Sequence, residues 1–173
     1  MGSDRSAELK LPTTTVAVRL AMQGGAAATT VELFVLETPG RTRAGLLDDV
    51  ADMLGRDEAF VPVRTASRVR LLGKHAIAWV AIRLEDDEQL QLDETLEEHS
   101  LYDRQHRVEL ELVHGTKLIG TMLDSSPADR PRVIDHLNRS GRFVRLWTTE
   151  EHYLINTTQV VAVTELPGSE GAK

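Results

Sequence analysis

The chain has 173 residues, a hydrophobic content of 41% and a formal net charge of -7 at pH 7. This length suits one medium domain or two small ones, and the apolar content is enough to build a core. The absence of cysteine excludes disulfides, thiolate zinc sites and cysteine nucleophiles. The acidic balance opposes binding to polyphosphates, so we expect no DNA partner.

The termini and the hydropathy indicate where the protein is found. No apolar run approaches the roughly 20 residues of a membrane helix, and the N-terminal sequence lacks the basic-then-apolar plan of a signal peptide. We therefore expect a cytoplasmic protein without a membrane partner. Residues 1–13 and 167–173 are polar or rich in Gly and Ser, which predicts disordered tails.

Two strands are predicted near the N-terminus. Thr14 to Met22 alternates apolar with polar or small residues, the period of a half-buried strand. A glycine pair then supplies a turn before a second strand, Val31 to Leu36. An acidic segment, 85–106, follows the first regular region; Leu92 and Leu96 stand four apart in it, which favours a linker with a short helix.

The regions on either side of this linker resemble each other. Residues 50–80 align without a gap on residues 133–163, at an offset of 83, with nine identities. The identities fall at Val50, Asp52, Leu54, Arg56, Phe60, Val61, Thr65, Leu71 and Val80. Upstream, residues 31–36 align with 108–113 at an offset of 77. The sequence thus predicts a tandem repeat, 14–84 with an extra N-terminal strand and 107–166.

The second copy is the easier to interpret. Predicted strands are Val108–Val113, Leu118–Leu123, Phe143–Trp147, His152–Ile155 and Val160–Val163, with a short helical turn at 133–138. Gly120 inside a strand indicates a bend or a close backbone approach. The short joint Asn156 to Gln159 predicts a one-turn 3₁₀ corner. We therefore expect a mainly β protein made of two tandem small five-stranded barrels with short helical segments.

This unit resembles the Sm-like (LSm) fold. The stretch 108–120 is similar to the first family motif, and HYLINTTQVVAV is similar to the second. The resemblance implies an RNA pocket made from an acidic residue and an Asn, here Asp135 and Asn138, with an Arg-containing pair in the last turn. That turn holds Asn156 in the second copy and Lys74 in the first, without the Arg, and the first copy has Gly55 in place of the Asn.

A second resemblance is to uncharacterised bacterial proteins with an R-x-x-D-x-L-N pattern, a Phe-rich strand and an I-N turn. The matching residues here are Arg132, Asp135, Leu137, Asn138, Phe143, Ile155 and Asn156. This resemblance implies no activity.

The candidate site residues follow from both patterns. In the second copy they are Arg132, Asp135, Asn138, Arg139 and Asn156, and their counterparts in the first copy are Asp52, Arg56 and Lys74. Arginine suits bidentate recognition of phosphates, so an anionic partner such as RNA is one reading. The alternative is structural, because Asp and Asn commonly hold backbone amides at the ends of short helices.

Other chemistry is not indicated. The histidines show no H-x-x-x-H or H-E-x-x-H spacing, and G-x-S-x-G and phosphate-loop motifs are absent, so we predict no metal, no cofactor and no catalytic residue. Arg104 and Arg107 followed by Asp124-Ser125-Ser126 imitate the cyclic-dinucleotide motif of PilZ domains incompletely.

The expected function is a non-enzymatic interaction or regulatory module that binds a protein partner or associates with itself, because small barrels expose strand edges. The alternatives are an RNA-binding Sm-like protein and a PilZ-like cyclic dinucleotide sensor.

Overall fold

The computed structural model describes residues 13–24, 27–37, 43–83, 104–124 and 132–167. Ten strands in this part of the chain form one open antiparallel sheet, accompanied by two α-helices. The prediction of a mainly β protein is confirmed. The described segments contain no helix with the length and apolar character needed to cross a membrane. The predicted linker helix around Leu92 and both predicted tails up to Pro12 and from Gly168 lie outside the described residues.

The first half of the sheet contains five strands and one long helix. Its elements are β1 (Thr13–Met22), β2 (Thr29–Leu36), α1 (Arg43–Gly55), β3 (Phe60–Thr65), β4 (Arg68–Gly73), a 3₁₀ turn (Lys74–Ala76) and β5 (Ile77–Arg83). In α1, Leu47, Val50 and Leu54 recur three and four residues apart and are buried. This spacing places them on one face of the helix, which packs onto the sheet.

The second half repeats this succession of elements. They are β6 (Arg104–Leu112), β7 (Lys117–Asp124), α2 (Val133–Arg139), β8 (Phe143–Trp147), β9 (Glu151–Asn156), a 3₁₀ turn (Thr157–Gln159) and β10 (Val160–Glu165). The predicted 3₁₀ corner and the predicted short helix are confirmed. The expected linker 85–106 extends too far, because Arg104 to His106 already pair with β7.

The strand order is the same in the two halves. The sheet runs β10-β6-β7-β8-β9 and then β5-β1-β2-β3-β4, so that in each half the last strand pairs with the first. The halves are joined where β5 pairs with β9. In this order β1 takes the position of β6, and β2 takes that of β7. The prediction that Thr14–Met22 is an extra strand is therefore wrong, and so is the alignment of residues 31–36 with 108–113, which rested on a shared alternation of apolar residues.

The strand register also corresponds. Phe60 lies opposite Gly73 in the β3·β4 pair, and Phe143 lies opposite Asn156 in the β8·β9 pair, each residue number being 83 higher. Both closing pairs contain a register shift, between Ala21 and Met22 of β1 in the first half and between Val160 and Ala162 of β10 in the second. The alignment at an offset of 83 thus connects residues with equivalent pairing.

Gly120 of β7 lies where the sheet turns from β7 onto β8. A Cβ atom at this position would lie 2.5 Å from the carbonyl oxygen of Trp147 and 2.8 Å from Cγ of Leu146. Only hydrogen fits in this space. The prediction of a close backbone approach at Gly120 is confirmed.

Two clusters of buried aliphatic residues form the core, and each one contains residues from both halves. The first includes Val80 and Ile82 of β5 together with Leu154 of β9. The second includes Ala81 of β5 together with Ile155 of β9. Strand β5 is therefore buried on both faces, as expected for a strand in the middle of a sheet.

Candidate functional site

A cavity of about 350 Å³ lies between α1 and the strands β2 and β3. It includes the three candidate residues of the first half, Asp52, Arg56 and Lys74, so the structure brings them together. Phe34 and Phe60 contribute apolar wall. The lining thus combines apolar surface with charges of both signs.

Lys74 is a structural group more than a ligand-binding one. Its side chain is only 1% exposed, and its Nζ donates hydrogen bonds to the carbonyl oxygens of Met53 at 2.7 Å and Arg56 at 3.0 Å. These carbonyls belong to the end of α1, where backbone acceptors have no partner within the helix. Burial, as the largest cause, lowers the pKa of Lys74. The ammonium group therefore holds the end of the helix against the 3₁₀ turn.

The candidate residues of the second half lie mostly on α2. Arg132 precedes the helix and is exposed, as is Asn138. Arg139 donates from Nε to the carbonyl oxygen of Asp135 at 2.9 Å, a contact within the helix. A cavity of about 200 Å³ beside α2 is lined by other residues, among them His136.

Asn156 lies apart from this group at the end of β9. It is fully buried, its Nδ2 donates to the carbonyl oxygen of Ile77 at 2.9 Å, and its Oδ1 accepts from the backbone nitrogen of Thr158 at 3.1 Å. Its amide thus connects the second half to the first residue of β5 and closes the 3₁₀ turn. These contacts are those of a structural residue.

A buried polar cluster around Asp124 was missed from the sequence. Its Oδ1 lies 3.2 Å from Nδ1 of His136, and its Oδ2 lies 3.9 Å from Nε2 of His106. Nδ1 of His106 is 3.0 Å from a carboxylate oxygen of Glu165. Spacing along the chain does not reveal this cluster, because β6, β7, α2 and β10 each contribute one residue. Within the described segments, no group of three or more His, Asp or Glu residues could hold a metal ion.

The junction between the halves carries an ion pair that reaches across β5. Nη1 of Arg19 on β1 lies 2.6 Å from Oε2 of Glu151 on β9. The Glu151 side chain is 7% exposed, so the pair is partly shielded from water. The arginine also lies over the ring of Trp79, 5.7 Å from its centroid.

Tyr153 completes the junction. Its hydroxyl donates to Oε2 of Glu151 at 2.7 Å, and its ring meets Trp79 edge to face with centroids 5.3 Å apart. Burial and the hydrogen bond to Glu151 raise the pKa of Tyr153 to about 12. The side chains at β5·β9 thus combine apolar packing with one charged contact.

The two outer strands of the sheet differ from this junction in exposure. On β4, Val69 is 60% and Leu71 is 69% exposed, and on β10, Val161 is 62% exposed. Leu154, which occupies on β9 the position that Leu71 has on β4, is 1% exposed. Within the described segments β4 pairs only with β3, and β10 only with β6. Among the residues that the structure describes, each end of the sheet therefore presents a strand with exposed apolar side chains and no neighbouring strand on one edge.

The comparison with known proteins assigns no role to these features. No protein-family model, curated protein or solved structure matches this chain.

Proposed function

We propose that the chain is a non-catalytic interaction module that binds protein partners at the free edges of its sheet. The observation that carries this proposal is the exposure of Val69 and Leu71 on β4 and of Val161 on β10. An edge strand with exposed backbone groups and apolar side chains accepts an added strand from another chain. The backbone then supplies hydrogen bonds, and the side chains supply apolar contact.

The proposal includes the architecture of each half. We take each half to be a small, strongly bent five-stranded unit of the Sm-like kind, duplicated within one chain. The repeated strand order, the common register at an offset of 83, the 3₁₀ turns before β5 and β10 and the close approach at Gly120 support this interpretation.

The candidate polar residues favour protein over RNA as the partner. Lys74 and Asn156 hold backbone groups of the fold, and Arg145 of β8 lies 2.6 Å from Asp48 of α1. These residues are engaged in structural contacts, whereas no strand of the described segments covers the outer edge of β4 or of β10.

The test is affinity capture with tagged wild-type protein and with a Val69→Lys/Leu71→Lys variant, each with and without nuclease. The two lysines remove the apolar contact and would have to be buried without a partner, so we expect the variant to lose partners that nuclease treatment leaves bound. Arg132→Glu, a charge reversal at an exposed residue outside β4 and β10 in the sequence, serves as the control. Partners that disappear with nuclease and depend on Arg132 would instead support RNA binding.

A further inference from the structure

The two outer strands of the sheet correspond, by their place in the repeat, to the two strands that join the halves. Inside the chain, the fifth strand of the first half, β5, pairs with the fourth strand of the second half, β9. The edges that remain are β10, the fifth strand of the second half, and β4, the fourth strand of the first. Strand β10 therefore corresponds to β5, and β4 corresponds to β9.

We infer that the partner at these edges is a second copy of the chain, bound head to tail with β4 of one copy against β10 of the next. This inference rests on the proposed function and names its partner. The pairing would repeat the register of β5·β9, in which Val80 lies opposite Leu154. At an offset of 83 this places Val163 opposite Leu71 of the second copy.

The side chains of the outer strands suit this arrangement. Leu71 and Val161 are exposed in the single chain, although Leu154 and Ala78 at the same positions of the inner junction are buried. Pairing β4 with β10 would bury the outer residues as the inner ones are buried. The removal of this apolar surface from water favours association.

Charge provides an independent argument. In the inner junction Glu151 of β9 contacts Arg19 of β1 across β5. By strand register, Arg68 of β4 occupies the position of Glu151, and Glu109 of β6 occupies that of Arg19. Both charges are reversed, so the contact between copies again joins an arginine to a glutamate, although Glu109 also binds Lys117 of its own chain at 2.7 Å. If the residues at these two positions were unrelated, two charges of the same sign would occur as readily as two of opposite sign.

The neighbouring charges have the same polarity. Strand β4 also carries the exposed Arg70, and β6 also carries Glu111. Glu109 and Glu111 thus face the two arginines of β4 across β10, although the exposed Arg107 stands on the same face of β6. The two arginines disfavour the pairing of two β4 strands. At the position of Asn156, β4 has Gly73, which lacks the amide that binds Ile77. The contact between copies should therefore be weaker than the inner one and reversible.

The test is sedimentation of the purified full chain over a range of concentrations, with charge-reversal variants. We expect the wild type to rise above the 19.2 kDa of one chain as its concentration increases. Arg68→Glu and Glu109→Arg should each weaken association by about tenfold or more, because like charges would face each other. The combined variant should recover most of the association, whereas Arg132→Glu should behave as wild type. Circular dichroism verifies that each variant is folded.

Two results would overturn the inference. One is a wild type that remains monomeric throughout, and the other is a pair of single reversals whose effects are not reversed in the combined variant. If the chain is monomeric but Val69→Lys/Leu71→Lys still loses its captured partners, the second copy is excluded and the proposed function stands. If that variant loses none, the proposed function fails as well.

Discussion

Single residues at the bends and the junction of the sheet carry much of the local specificity. Gly120 allows β7 to approach β8, and Tyr153 joins the apolar and charged parts of the contact between β5 and β9. Gly120 acts because it lacks a side chain, whereas Tyr153 acts through an apolar ring that carries a polar hydroxyl. Their substitution should therefore have different signatures.

Replacing Gly120 with alanine should destabilise the protein. The added Cβ would lie 2.5 Å from the carbonyl oxygen of Trp147, a backbone atom that cannot move away without shifting β8. We expect a loss of about 1 to 3 kcal/mol in the free energy of unfolding, the usual cost of overpacking. Gly141→Ala is the control, since no atom lies within 4 Å of a Cβ there. Equal effects of the two substitutions in urea titrations would contradict the assigned packing.

Tyr153 should ionise at a pH well above that of a free tyrosine. The chain has only two tyrosines, so in a Tyr102→Phe variant the ultraviolet absorbance of phenolate reports Tyr153 alone. We expect its transition at about 12 instead of 10.0, because burial and the hydrogen bond to Glu151 favour the neutral phenol. A transition at the ordinary value would show that the ring is exposed.

The same shift predicts a pH dependence of stability. The unfolded chain releases this proton at about 10.0, before the folded chain does, so the stabilisation from this group is complete below that pH and is lost as the pH rises through about 12. Urea titrations of the wild type and of Tyr153→Phe should therefore converge over this range. Parallel curves would mean that Tyr153 does not make the predicted contribution.

At the scale of elements, the 3₁₀ turns and the helices hold the bent strands in place. Lys74 begins the turn before β5 and binds the end of α1, and Asn156 caps the equivalent turn in the second half. The two halves thus use different side chains at neighbouring positions for related structural tasks.

Lys74→Met should destabilise the end of α1. Methionine fills the same space but leaves the carbonyl oxygens of Met53 and Arg56 without the donor at 2.7 and 3.0 Å. We expect a loss of about 1.5 to 3 kcal/mol, the range for hydrogen bonds to charged groups. Lys117→Met is the matched control, because Lys117 forms an exposed pair with Glu109 and should have much the smaller effect on stability. A larger effect at position 117 would contradict the assignment of Lys74.

The sequence predicted these elements unevenly. Alternation of apolar residues located β1, β2 and the strands of the second half, and the joint from Asn156 to Gln159 predicted its 3₁₀ turn. The full length of α1 was missed, although the spacing of Leu47, Val50 and Leu54 was available as a signal. The register of the first two strands was assigned wrongly, because alternation is shared by every half-buried strand and does not say which strand pairs with which.

Some parts of the candidate site could not have been predicted. The cluster around Asp124 brings together residues that are far apart in the sequence, and the ion pair of Arg19 with Glu151 spans most of the chain. Such contacts depend on strand order, which follows from the whole sheet. The candidate residue Lys74 lies in its predicted turn and Asn156 lies at the strand end just before the other turn, but only the structure shows their contacts with backbone groups.

At the scale of the whole molecule, the sheet has two different ends. A chain with one end like β5 and the other like β9 can add identical copies in one direction, which gives a ring if the rotation closes and a filament if it does not. Burial of β5 and β9 within the chain shows how such strands pair when a partner is present.

The most direct measurement uses the absence of cysteine in the chain. Ala81 lies opposite Tyr153 in the inner junction, and the equivalent outer positions are Thr164 on β10 and Arg70 on β4. Residues directly opposite each other in neighbouring strands are close enough for a disulfide. Mixing a Thr164→Cys chain with an Arg70→Cys chain under mild oxidation should therefore give a covalent heterodimer. Replacing Arg70→Cys with Leu71→Cys, which faces the other side of the sheet, should not. A yield no higher with Arg70→Cys than with Leu71→Cys would contradict the pairing of β4 with β10.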